Sequence, residues 1–364
     1  MNQIPKWTRG VRSFLMTVCA FTLFGQGCLG PATKSPTGPD LGVYKTSDGG
    51  QTWVNKRALI SGPKITGAVA GMSILAMGFD PQDRNTIYLG TAEHGIVFTR
   101  DGGDSWQRPK TLTTARVSAV VVDAKNKCTV YAASGNKIYK TDTCGLDWSQ
   151  IFFNPRTDVS FTKLALDWYN PTIVFAGSSD GDLFRSSDSG VSWRVSKRVD
   201  GIPITSIVID PRDSRVIYVG TQSDGIWKSA DGGLAWTQIK KPFSDDLQDA
   251  RRIAQIVPDP VAANVVYSVS KYGILKSTNG GESWTSLKLT SPPSSIKINA
   301  FAIDPKNNRR LIFTGVATLQ FSEDGGATWT PKKLPTTQTG SSLLIDPLET
   351  NTIFLGTIPA PQKK

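Results

Sequence analysis

Histidine is almost missing from this chain: His94 is the single instance in 364 residues. A triad or a multi-histidine metal site would have that one imidazole to work with. It sits in the turn Thr91-Ala92-Glu93-His94-Gly95 with no nucleophile motif beside it. Cysteine is nearly as scarce. Of the four, Cys19 and Cys28 fall within the first 28 residues, leaving Cys128 and Cys144. No metal site, cofactor or phosphate-cradling glycine loop is expected, and nothing in the pattern points to nucleic acid. Long apolar runs are lacking too. The stretch Ser13–Phe24 is twelve residues long, short of the roughly 20 that span a bilayer.

That stretch follows Lys6, Arg9 and Arg12 and precedes Gly25-Gln26-Gly27-Cys28, the build of an export signal. The ending resembles a bacterial lipoprotein signal, with Cys28 as the lipid-modified residue, although Gly25 stands where such signals prefer Leu. Ordinary cleavage, after Ala32 for example, is the alternative. Residues 1–28 are thus expected to be a signal and 29–40, rich in Pro, Gly, Ser and Thr, a flexible tether. Residues 41–358 form the folded body and 359–364 a short tail. The expected location is outside the cytoplasm, lipid-anchored to the cell envelope or secreted, as a monomer.

What is abundant is repetition. A Ser or Thr, an Asp two residues on, a Gly two further and a Trp three beyond recur seven times, ending at Trp53, Trp106, Trp148, Trp193, Trp236, Trp284 and Trp329. The steps between tryptophans are 53, 42, 45, 43, 48 and 45 residues, a period that belongs to propeller blades or solenoid coils. Each unit reads as four short strands, A to D, with an Asp turn between A and B at Asp80, Asp123, Asp167, Asp210, Asp259, Asp304 and Asp346. The first box has no A–B unit before it, and the last A–B unit has no box after it. Joined, the two ends make one blade. The expected fold is therefore all-β, a seven-bladed β-propeller whose N- and C-terminal strands close one shared blade.

The box residues Asp48, Asp101, Asp188, Asp231, Asn279 and Asp324 are read as framework: a carboxylate or amide oxygen can accept backbone N–H bonds of its own turn. Seven equivalent positions are not seven catalytic sites. In the third box Thr143 holds the Asp position and Cys144 follows it. A Cys128–Cys144 disulfide is expected to take over as the staple.

Repeats of this form resemble the Asp-box, or BNR, propellers, which include sialidases, xyloglucan-cleaving glycosidases, sortilin-type receptors and the photosystem II assembly/stability factor-like proteins. The likeness runs over residues 42–357 and is nearest to the assembly-factor group, which implies a non-enzymatic binding scaffold. The alternative it implies is a carbohydrate-active protein, sialidase-like, glycosidase-like or glycan-binding. Against that, Gly201-Ile202-Pro203 has Gly where sialidases begin with Arg, and xyloglucan-cleaving relatives place their carboxylates across two propellers.

Net charge is +11, or +8 without the three signal cations. The D–A connections, read from strand spacing, hold nineteen Lys and Arg, Lys163 among them, against Asp158, Asp200, Asp245, Asp246 and Asp249. The D–A face is thus expected to be the binding face, with Arg116, Arg156, Arg251 and Arg252 foremost and Arg194 and Arg198 beside them. Glu93, Asp180, Asp182 and Asp224 in the B–C turns offset part of it. An acidic protein segment or an envelope complex is the expected partner, since guanidinium forks suit carboxylates.

Overall fold

The computed structural model describes residues 40–239 and 249–361. The expected signal segment, Cys28 and the expected tether up to residue 39 lie outside them, as do Asp245 and Asp246.

Strand B of each blade is walled on both faces by neighbouring sheets, so its central residues are buried and mostly apolar or small. Val174–Ser178 (VFAGS), for example, is buried at every position. Strand D ends each four-stranded sheet on its outer edge and is the more exposed strand, as in Arg194–Arg198 (RVSKR). Between these limits the chain forms seven antiparallel sheets arranged as propeller blades. In blade IV the order is Phe161–Leu166, Val174–Ser178, Asp182–Ser186, Arg194–Arg198, running A to D from the axis outward.

Blade I is the composite one. Strands Thr339–Ile345 and Ile353–Ile358 come from the C-terminal end, Val43–Thr46 and Val54–Asn55 from the N-terminal end. The seam pairs Val43 with Gly356 and Thr46 with Ile353. Seven buried hydrophobic clusters occur among the described residues, one at each blade interface. Seven interfaces for seven blades means a closed ring. A stack would have six.

Strand A of each blade packs against strand A of the next all the way round. Hydroxyls at the strand starts stitch this inner ring together. Ser118 donates to the Phe161 carbonyl at 2.7 Å, Thr162 to Ile204 at 2.6 Å, Thr205 to Ile253 at 2.7 Å, and Ser341 to Ile74 at 2.6 Å.

Blade II departs from the four-strand expectation. It has three strands, Ile74–Asp80, Asp83–Thr91 and Ile96–Thr99. Its fourth is reduced to a single bridge, Phe98 to Gln107. The cause is a hairpin, Ala58–Ser61 with Lys64–Ala68, in the connection from blade I to blade II. Its first strand exchanges backbone bonds with Trp106, which donates to the Ala58 carbonyl while Ile60 donates back to Trp106.

Candidate functional site

The seven boxes use one bonding scheme. In the first, the Thr46 hydroxyl donates to Asp48 and accepts the Gly50 N–H at 3.0 Å. The Asp48 carboxylate then accepts the backbone N–H and the hydroxyl of Thr52. Such bonds favour the ionised form and hold the Asp48 and Asp324 carboxyls well below the usual carboxylate range. In Asp188 the Ser192 hydroxyl leads and the value falls to about 2. Asp101 and Asp231 are lowered as well: in Asp101 burial opposes the hydrogen bonds and is outweighed, in Asp231 the Ala235 N–H leads.

Asn279 keeps the geometry with an amide, its oxygen accepting the Ser283 N–H at 2.9 Å. In the third box the Thr143 hydroxyl accepts the Asp147 N–H at 3.0 Å in the carboxylate's place, and Cys128 and Cys144 are joined as a disulfide. Cys144 carries a positive φ of 54° where the boxes with a Gly-Gly pair use glycine, such as Gly49 at 71°. The boxes are turn staples: each carboxylate spends its lone pairs on its own loop.

The six arginines singled out from the sequence do not form one basic cluster. Arg156 is bonded to Asp158 at 2.8 Å and to Asp180 at 2.9 Å, and Arg198 to Asp182 at 2.7 Å. These two line a cleft of ≈ 620 Å³ together with Asp180, Asp182 and Asp200. With Asp158, four carboxylates face two guanidinium groups, so this part of the face is not basic. Arg156 holds the Asp158 carboxyl below its ordinary value.

Arg252 lies 4.0 Å from Asp249, in the short helical turn that also carries Arg251. Arg194 pairs with Arg185 at the box end of its strand, the opposite end from Arg198, which pairs with Asp182. Arg116 lies apart from all of these. It is exposed, it has no hydrogen bond or ion pair among the described residues, and it lines a cavity of ≈ 280 Å³ with Ser118, Ser160 and Lys163.

Strand spacing puts Lys163 with the connecting loops; it stands instead inside strand A of blade IV, facing the central channel. The partners of Arg156 and Arg198 are Asp180 in a B–C turn, Asp182 at the start of strand C and Asp158 in the D–A connection. Sequence spacing sets Asp180 and Asp182 against the basic face as a whole without showing which arginine each meets. The other end of the channel, the Asp-turn rim read as framework, opens into an apolar cavity of ≈ 600 Å³. Trp168, Pro211, Pro260, Pro305 and Pro347 line it. Among the described residues no three His, Cys, Asp or Glu side chains converge to hold a metal ion, and no helix is long and apolar enough to cross a membrane.

Fold and boxes together define the class: this is an Asp-box seven-bladed β-propeller. Within that class, residues 35–210 match the family model described as photosynthesis system II assembly factor YCF48. Among curated proteins, the photosystem II assembly lipoprotein Ycf48 of Prochlorococcus marinus is 28% identical, with 44% of this chain and 44% of that protein covered. The oligoxyloglucan-reducing end-specific xyloglucanase of Emericella nidulans is 25% identical, over 43% of this chain and 24% of that protein. The chain thus spans less than half the length of these curated relatives.

Solved structures share the fold. YCF48 bound to a D1 peptide superposes with a TM-score of 0.58 at 18% identity, covering 80% of this chain and 94% of that one. A GH74 xyloglucanase from Xanthomonas campestris gives 0.64 at 18%, covering 78% and 51%.

Proposed function

We propose that the protein is a non-enzymatic assembly factor: a rigid ring, exported and held to the envelope through Cys28, that grips a carboxylate-bearing segment of a partner protein. The observation that carries the reading is the match of residues 35–210 to an assembly-factor family. The YCF48 structure that contains a peptide supports a peptide as the kind of ligand. The docking face proposed is the D–A side, with Arg116 at the channel mouth and Arg251 and Arg252 at the entry to blade VI. The acid-balanced Arg156–Arg198 cleft is better suited to a segment of mixed charge.

Recovery of partners by pull-down from envelope extracts tests this reading. Arg116→Glu combined with Arg252→Glu should lower recovery of a specific partner at least about tenfold, the size of one charge-assisted contact. Unchanged recovery overturns the face. Metabolic labelling with a fatty acid, compared with Cys28→Ala, tests the anchor.

The xyloglucanase relatives favour a second reading, a carbohydrate-active protein. Hydrolysis at a glycosidic bond needs two positioned carboxyl groups. In the cleft that concentrates acids, Asp180 and Asp182 are tied to Arg156 and Arg198. Release of reducing ends from xyloglucan by the purified protein would establish this reading over the first.

A further inference from the structure

Strand A of blades II, III, V and VI carries a β-bulge and then places Ala76, Ala119, Ser206 and Gln255 on the channel wall. Blade IV places Lys163 there. Among the described residues lining the ≈ 290 Å³ mid-channel cavity, Lys163 is the only one with an ionisable side chain. It also lines the ≈ 280 Å³ cavity at the mouth, where the other ionisable group is Arg116.

No carboxylate lines either cavity, and no hydrogen bond or ion pair holds Lys163 among the described residues. The neighbouring hydroxyls of Ser118 and Thr162 are committed as donors to the blade-bridging carbonyls, so neither has a proton to spare for a ligand. An ammonium walled by protein without a counter-ion is costly, and burial holds its pKa below the ordinary lysine value. Two unpaired cations in one cavity favour an anion. Leu75, which lines both cavities, adds an apolar wall for a stem.

We propose that the channel mouth between blades III and IV is a receptor for a small organic carboxylate, held by Lys163 and Arg116 with its apolar stem against Leu75. An inorganic dianion would meet the same charges and gain nothing from Leu75. The site does not depend on the docking reading above. Its test contains no protein partner, so failure of one leaves the other standing.

The experiment is NMR titration of the lysine side chains in the purified chain, with butyrate, the neutral isostere butyramide, and inorganic phosphate as probes. Butyrate should move the Lys163 resonance and raise its titration midpoint; butyramide should do neither. Because the charged ammonium is the binding form, butyrate affinity should fall about tenfold per pH unit above that midpoint. Among the described residues Lys163 and Arg116 are the only ionisable groups that line the site.

Lys163→Met should abolish butyrate binding. Arg116→Gln, at an exposed position that does not threaten folding, should weaken it about tenfold. Butyrate that leaves Lys163 unmoved, or that binds Arg116→Gln as tightly as the original chain, overturns the proposal. Phosphate binding more tightly than butyrate overturns the carboxylate assignment.

Discussion

The two glycines of a box have different jobs, and the difference is measurable. Gly50 has φ +86°, and a Cβ there would sit 2.7 Å from the Phe321 ring of the preceding blade. Gly325 has φ +80° with nothing within 4 Å. Gly325→Ala should therefore cost only the left-handed backbone penalty, about 1 kcal/mol. Gly50→Ala adds overpacking against a buried ring and should cost about 3 kcal/mol in urea denaturation. Equal losses would mean that the second glycine serves the turn alone. The box carboxylates give a second test. Their folded pKa values lie below the ordinary 3.8, with Asp188 at about 2. The native state therefore holds fewer protons than the unfolded chain in that window. Each carboxylate's stabilisation is complete above about pH 5, declines as pH falls through the ordinary value, and is lost once pH drops below its own folded value, about 2 for Asp188. Asp188→Asn should flatten part of this acid slope in thermal melts recorded from pH 5 to pH 2.

At the scale of one element, blade III shows what replaces a missing carboxylate. The disulfide closes a loop with a sequence separation of 16, which corresponds to about 3 kcal/mol of chain entropy. Cys128→Ser with Cys144→Ser should lower stability by that order in urea denaturation. Adding Thr143→Asp and changing position 144 to Gly instead of Ser rebuilds the box and should recover about 1 kcal/mol. A serine pair as stable as the parent would leave Thr143 as the whole staple. Blade architecture is legible because box, Asp turn and strand lengths repeat. Side-chain pairing is not, because Arg156 finds Asp180 across 24 residues, from a B–C turn that sequence order sets apart. Lys163 escapes for a related reason. A strand boundary displaced by three residues turns a wall position into a loop position, and polar neighbours such as Ser160 and Thr162 hide the edge. The hairpin Ala58–Ser61/Lys64–Ala68 that displaced strand D of blade II left its mark only as the longest Trp-to-Trp step, 53 residues.

For the whole molecule, closure decides whether stability is shared or merely added up. In an open array each repeat touches only its neighbours, and removing a terminal unit costs about one unit's worth of stability. Here Ile353–Ile358 is paired on both sides, with Val43–Thr46 and with Thr339–Ile345. It also supplies Phe354 to one interface cluster and Leu355 to the next. Deleting residues 353–364 would expose two unpaired strand edges at once and open two interfaces. Unpaired edges recruit other chains. The truncated protein should therefore self-associate in light scattering and lose its single cooperative urea transition. Ile65→Ser, at a position 74% exposed on the hairpin outside the ring, serves as the control and should change neither. A truncated chain that stays monomeric and unfolds in one transition would show that the blades stand without the seam. A rigid inner ring, and with it a channel of fixed bore around Lys163, would then need another cause.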